Sequence, residues 1–199
     1  MPDRGRLITV EGIDGAGKTT LVEGLAHALP GLVVLREPGG VAVSERIRDL
    51  VKDPALHVDP RAEALLYAAA RAQLVHERLL PLLTDGQDVL LDRFVDSSLA
   101  YQGGGRGLGV AEVAELNRFA TAGLVADLTL YVRVEPAVGA ARRSGTDRLE
   151  QAGEAFFAAV VGAYDALAAA DPARVRVLDG ARAPEEVLED ALVVLKSLQ

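Results

Sequence analysis

Gly12, Ile13, Asp14, Gly15, Ala16, Gly17, Lys18, Thr19 and Thr20 follow one another near the start of the chain, and Gly12, Gly17, Lys18 and Thr19 fit the pattern G-x-x-x-x-G-K-[ST]. Glycines allow successive backbone N–H groups to turn inward on phosphate oxygens, and the positive end of a following helix adds to that attraction. Lys18 supplies a mobile point charge for the β and γ phosphates, and the Thr19 hydroxyl is placed to ligate Mg²⁺. The stretch is expected to cradle a nucleoside triphosphate. It does not say what is done with it.

The cradle needs a strand before it and a helix after it. Leu7 to Val10 reads as that strand and Lys18 to about Leu29 as that helix, stopped by Pro30-Gly31. Leu32 to Leu35 is a short apolar run of the kind found in buried parallel strands. Arg36-Glu37-Pro38-Gly39-Gly40 follows at its carboxyl end, where an open α/β sheet binds ligands; a surface charge in a turn is the plainer reading. Val43 to Val51 reads as a short helix, and Asp59-Pro60 opens a longer one to about Leu83. In it Tyr67 and Arg71 stand four residues apart, on one face. They could form a platform for a base, but spacing alone favours a half-buried tyrosine beside a surface arginine.

Asp88 to Leu91 is a further apolar strand, and it delivers Asp92-Arg93-Phe94 at its end. A strand-end aspartate beside such a cradle is a candidate for the metal shell. Ser97 to Gln102 leaves a helix and enters a run of four glycines around Arg106, which reads equally as a mobile loop without chemistry. A helix from Val110 to Thr121 and a strand from Asp127 to Val132 precede Arg142-Arg143-Ser-Gly-Thr-Asp147-Arg148-Leu149-Glu150, a basic, glycine-containing segment that looks like a lid over about 142–150. A helix from about Gln151 to Ala170, a strand from Val175 to Leu178 and a helix from Pro184 to Leu198 complete the chain. Five strands alternating with helices predict one three-layer α/β domain over residues 1–199, with a five-stranded parallel sheet and a P-loop NTPase fold.

A net charge of −8 argues against a general nucleic-acid surface. Lys18, Lys52 and Lys196 are the only lysines among 21 basic residues, so Lys18 in the cradle stands out against an arginine-rich background. The absence of cysteine fits a reducing compartment, and Met1 to Arg6 leaves no room for an apolar leader, so a cytoplasmic protein is expected. The most apolar window, Ala155 to Ala170, is too short to span a membrane and carries Asp165. His27, His57 and His76 show no ligand spacing.

Other nucleotide-binding machines fit poorly. GTP switches need an N-K-x-D-type reader, yet the sole asparagine, Asn117, is followed by Arg118; motor and transport ATPases usually place glutamate after the strand-end aspartate, where Arg93 stands. A small kinase remains. Glu37-Pro38-Gly39-Gly40 after Arg36, Leu65 to Arg71, Asp92-Arg93-Phe94, Ala100-Tyr101-Gln102-Gly103 and Asp147 to Glu150 occur in the order and spacing of thymidylate kinase, and the chain resembles that family from Leu7 to about Glu150.

The resemblance implies transfer of the γ-phosphoryl group of MgATP to dTMP, giving dTDP and ADP, in a homodimer with a nucleoside monophosphate kinase-like core. It implies that Arg36, with Glu37 beside it, and Arg93 clamp the acceptor phosphate, and that Asp14 holds the sugar 3′-hydroxyl. Tyr67, where phenylalanine is usual, would stack on thymine; Arg71 and Gln102, with Ser97 nearby, would read its polar edge; Tyr101 would crowd a 2′-hydroxyl. Thr19 and Asp92 would serve the Mg²⁺. Gly15 stands where some members carry a catalytic arginine, so that charge is expected from Arg142, Arg143 or Arg148 in the lid, as in the bacterial type. Between Arg142 and Asp147 the lid looks about three residues shorter than the family's. A deoxynucleoside kinase needs a carboxylate base for a neutral hydroxyl, and a non-catalytic nucleotide-sensing module has no use for a basic lid; both are the weaker alternatives.

Overall fold

A computed structural model of the chain describes residues 4–143, 148–149 and 151–196. Its strands are β1 (Leu7–Glu11), β2 (Val33–Arg36), β3 (Val89–Asp92), β4 (Leu128–Arg133) and β5 (Val175–Asp179). They form one sheet in the order β2-β3-β1-β4-β5, every neighbouring pair parallel. The predicted five-stranded parallel sheet is present. β1 lies at its centre and all five of its residues are buried, as a strand covered on both faces must be.

The helices are α1 (Lys18–Ala28), α2 (Ala42–Lys52), α3 (Pro60–Leu74), α4 (Leu80–Thr84), α5 (Val95–Ser98), α6 (Val110–Ala120), α7 (Pro136–Arg142), α8 (Glu154–Ala170) and α9 (Pro184–Lys196). Successive strand residues feed opposite layers, because side chains alternate across a sheet. Ile8, Val10 and Leu90 pack in one cluster with Leu21, Val22 and Leu25 of α1. Leu7, Val89 and Leu91 pack in another with Leu74 and Leu79. This is the three-layer arrangement expected of the sequence.

Two local expectations are corrected. The helix expected from Pro60 to about Leu83 starts as predicted, with the Asp59 carboxylate accepting from Arg61 N at 2.8 Å, a cap worth about 1 kcal/mol. It is interrupted by a π-helical turn over Val75–Leu79. Pro81 follows that turn and has no N–H to offer the preceding turn of helix, which loosens the ladder there. The glycine run is not a loop: Leu99–Gly105 is a second π-helical turn packed on α8. A Cβ on Gly104 would lie 2.6 Å from Ala163 Cβ, and one on Gly105 would lie 2.6 Å from the Phe156 ring. The glycines permit close approach of two helices.

Register fixes where the chemistry can be. Arg36 and Val10 both pair with Asp92, and Glu11 pairs with Tyr131, so the ends of β1, β2 and β3 open on one edge of the sheet. The loops carrying the expected site leave from that edge.

Candidate active site

β1 ends in Glu11, and the cradle turns away immediately. Gly12 has φ 140°, and a Cβ there would be 2.4 Å from the Val132 carbonyl oxygen; Gly15 has φ 81°, and a Cβ there would be 2.3 Å from the Gly139 carbonyl oxygen. Only glycine meets both requirements. Gly17, left-handed at φ 99°, stands directly before α1 and turns the helix N-terminus toward the loop.

Lys18 is buried, and its Nζ donates to the Ile13 carbonyl at 2.9 Å, with Asp14 Oδ1 at 4.0 Å. Burial and the charge of Arg93 lower its pKa to about 8, despite the carboxylates of Asp14, Asp92 and Glu11. Arg93 has an uncommon left-handed backbone for a non-glycine residue, φ 69°. That turn carries its guanidinium back beneath the cradle: Nη1 donates to Gly12 O at 3.0 Å and to Ser97 Oγ at 3.1 Å, and Nη2 donates to Asp14 Oδ1 at 2.6 Å. Burial alone would raise the Asp14 carboxyl, but Arg93 and Lys18 outweigh it and hold it well below the usual carboxylate range. Tyr101 donates to Asp14 Oδ2 at 3.2 Å, its ring held edge-on by Phe156, Phe157 and Tyr164.

A cavity of about 230 Å³ opens beside these groups. Asp14, Lys18 and Thr19 of the cradle line it together with Asp92 and Arg93. Arg36, Glu37, Tyr67, Arg71, Ser97, Tyr101 and Gln102 line the same cavity. The structure therefore brings every expected acceptor-side residue to one cavity. Arg71 is not a surface residue, as its spacing suggested, but 2% exposed. Its Nε donates to Glu37 Oε2 at 2.8 Å, Nη1 to Ser98 Oγ at 2.9 Å and to Asn117 Oδ1, and Nη2 to Phe94 O at 2.8 Å. Arg36 reaches the cavity from a half-exposed position, with Nη2 on Glu45 at 3.0 Å.

Asp92 Oδ1 is buried without a hydrogen-bond partner, and the Thr19 hydroxyl lines the same cavity. An orphaned carboxylate oxygen next to a hydroxyl and a phosphate cradle fits a hard divalent cation, which takes oxygen ligands and retains water. Among the described residues there is no cluster of three or more acidic or histidine side chains able to hold a metal without such help.

Other residues of the cradle border a second cavity of about 340 Å³, lined by Ala16, Gly17, Thr20, Arg142, Gly180 and Arg182 among others. Gly180 admits this packing, since a Cβ there would meet Ala16 O at 2.9 Å. The lid arginines are dispersed. Arg142 donates to Gly180 O at 2.9 Å. Arg143 lies 3.6 Å over the Phe157 ring, with Nη1 buried and unpartnered. Arg148 donates through Nε to Val51 O at 3.1 Å, and its Nη2 lies 2.6 Å from Glu63 Oε2 without hydrogen-bond alignment. Asp147 and Glu150 of the expected lid lie outside the described residues.

Sequence reasoning missed several groups. Glu11 is buried and accepts from Phe94 N at 2.7 Å, Ser97 Oγ at 2.6 Å and Tyr164 Oη at 2.8 Å. Burial, then the charge of Asp96, raises it to about 7, against the opposing pull of Ser97 and Arg93. An acidic residue as the last member of an otherwise apolar strand was its signal. Arg48 lines the same cavity as Arg36 and donates to Pro38 O at 2.8 Å; a basic residue in the helix after the Arg36 turn could have marked it. Arg182 follows the Asp179-Gly180 strand end, the same kind of position that singled out Asp92.

The sequence model of the family described as thymidylate kinase matches residues 10–191. The chain is 47% identical over 205 residues to the thymidylate kinase of Lactobacillus delbrueckii subsp. bulgaricus, covering 98% of this chain and 97% of the relative. It is 47% identical over 193 residues to that of Deinococcus radiodurans, covering 94% and 93%. The crystal structure of thymidylate kinase from Ehrlichia chaffeensis superposes with a TM-score of 0.82 at 28% identity, over 97% of this chain and 99% of that one. With a cradle, a strand-end aspartate and an arginine-rich cavity all carried on that fold, the chain belongs to the thymidylate kinase family.

Proposed function

We propose that the cavity lined by Arg36, Tyr67 and Gln102 takes dTMP and the one lined by Arg142 and Arg182 the nucleoside end of ATP, and that the chain transfers the γ-phosphoryl group of ATP to dTMP to give dTDP and ADP. The observation that carries this reading is that the cradle borders two cavities, Asp14 and Lys18 lining one and Gly17 and Thr20 the other. A module that only sensed one nucleotide needs one of these cavities.

Both substrates are anions, so the protein must align them, offset their repulsion and exclude water. Arg36 and Arg93 hold the acceptor phosphate, and Glu37 orients Arg71. Tyr67 stacks on the base, Arg71 and Gln102 meet its polar edge near Ser97, and Asp14 takes the 3′-hydroxyl. Tyr101 stands where a 2′-hydroxyl would fall. The backbone from Gly12 through Ile13, Gly15, Ala16 and Gly17 to Thr20 holds the phosphates of ATP, and Lys18 follows the charge that develops on the transferring group. Thr19 and Asp92 would hold Mg²⁺, which when bound neutralises charge on the β and γ oxygens. The lid over about 142–150 closes with Arg142, Arg143 or Arg148 over the transferring group. An acceptor bearing a phosphate suits the two arginines better than a neutral nucleoside would.

A homodimer is part of this reading. Val43 and Leu50 on α2, Leu65 on α3, Leu80 on α4 and Phe119 on α6 are exposed, Phe119 by 86%, on helices of which α2 packs on α3 and α3 on α6. These residues are the association surface in this reading. No helix among the described residues is long and apolar enough to cross a membrane. The setting proposed is the cytoplasm, where ATP and dTMP meet and a cysteine-free chain is at home, with no nucleic acid as partner.

The test is ADP release with MgATP over a panel of acceptors. The rate is expected to be highest with dTMP; equal rates with UMP or CMP overturn the specificity, and undiminished turnover of thymidine favours a nucleoside kinase.

A further inference from the structure

Glu63 of α3 has none of its surface exposed, and the roles assigned above leave it without one. Three side chains from other parts of the chain converge on it. Gln102 Nε2 donates to Oε1 at 2.9 Å. Arg106 donates through Nε to Oε1 at 3.2 Å and through Nη2 to Oε2 at 3.0 Å, and Arg148 Nη2 lies 2.6 Å from Oε2. A carboxylate in two ion pairs offers only acceptors, so the end of the Gln102 amide that faces it must be the NH₂ group. The amide oxygen diverges from the same carbon, away from the NH₂ group, and takes no hydrogen bond from a described residue, while Gln102 itself lines the cavity.

We propose that Glu63 is a positioning residue that locks the Gln102 amide with its oxygen toward the base, and so selects pyrimidines carrying N–H at N3. The inference rests on the reading of Gln102 as a contact to the base. Thymine and uracil bring a donor to that position. Cytosine brings a bare ring nitrogen, which would face the amide oxygen acceptor to acceptor. An unrestrained amide would rotate about its terminal bond and meet cytosine with NH₂. Behind Gln102 that rotation would set the amide oxygen against the Glu63 carboxylate, so Glu63 forbids it. A site built around a hydrogen bond rejects the ligand that leaves its group unpaired by about tenfold or more.

The test compares kcat/KM for dTMP, dUMP and dCMP in wild type, Glu63→Gln, Glu63→Asp and Gln102→Leu. In Glu63→Gln the new amide can either donate or accept, so Gln102 is released. The dTMP:dCMP ratio is expected to fall about tenfold while the dTMP:dUMP ratio stays within about twofold. A packing or lid defect would lower all three substrates together and leave both ratios in place. Should Glu63→Gln not fold, Glu63→Asp, which keeps the charge and withdraws it by one methylene, is read in the same way with a smaller shift. Unchanged ratios in the folded Glu63 variant, beside a changed dTMP:dCMP ratio in Gln102→Leu, overturn the lock alone. An unchanged ratio in Gln102→Leu overturns the base contact, and the lock with it.

Discussion

Arg93 Nη2 donates to Asp14 Oδ1 at 2.6 Å, while Nη1 of the same guanidinium reaches the Gly12 carbonyl and Ser97. One side chain thus ties the cradle, the end of β3 and the start of α5 together. Only a planar fork with several donors can serve acceptors in those directions at once. Arg93→Ala is expected to lower kcat/KM for dTMP by on the order of a hundredfold or more, because it removes an acceptor clamp and leaves Asp14 without its main compensating charge. Arg93→Lys should recover only part of that loss. Steady-state kinetics at saturating ATP measures both, and full recovery by lysine would show that charge without the fork suffices.

Lys18 gives a pH dependence whose sign follows from its surroundings. Its ammonium titrates near pH 8, so the free enzyme loses the cradle's charge as pH rises through that value. The kcat/KM for ATP should therefore fall above about pH 8, toward tenfold per pH unit. The limb in kcat should lie at higher pH, since bound phosphate oxygens favour the ammonium. Unfolding does not mimic this. A lysine with a depressed folded pKa binds fewer protons folded than unfolded between about 8 and its ordinary 10.5, so its contribution to folding improves over that span. Rate profiles from pH 6 to 10, with melting curves alongside, separate the two effects.

Much of this was legible in the sequence because it depends on local rules. Glycines at fixed spacing, apolar runs ended by Arg36 or Asp92, and the Asp59-Pro60 helix start are each decided within a few residues. The π-helical turn at Leu99–Gly105 was not, since a glycine run signals a loop unless a partner helix such as α8 comes close enough to demand small residues. Arg71 misled for a related reason: four acceptors from Glu37, Phe94, Ser98 and Asn117 bury it, and none is its neighbour in the chain. Arg93 depends on a backbone turn that no side-chain pattern announces. Long-range convergence, not local propensity, is what the sequence withheld.

Arg148 shows the same limit and carries the last prediction. Its Nε donates to Val51 O, and its Nη2 sits 2.6 Å from Glu63 yet buried without an aligned acceptor. To reach the transferring phosphoryl this guanidinium must exchange the Val51 carbonyl and the buried Glu63 carboxylate for phosphate oxygens, which ties its movement to a bound anion. Arg142, by contrast, lines the cavity proposed for the ATP nucleoside. Arg148→Ala should lower kcat by on the order of a hundredfold with the KM for dTMP changed about twofold at most, because charge supplied only in the transition state appears in kcat. Arg142→Ala should instead raise the KM for ATP. If Arg148→Ala changes KM alone, the catalytic charge comes from Arg142 or Arg143, and Arg148 is an anchor for the lid on α3.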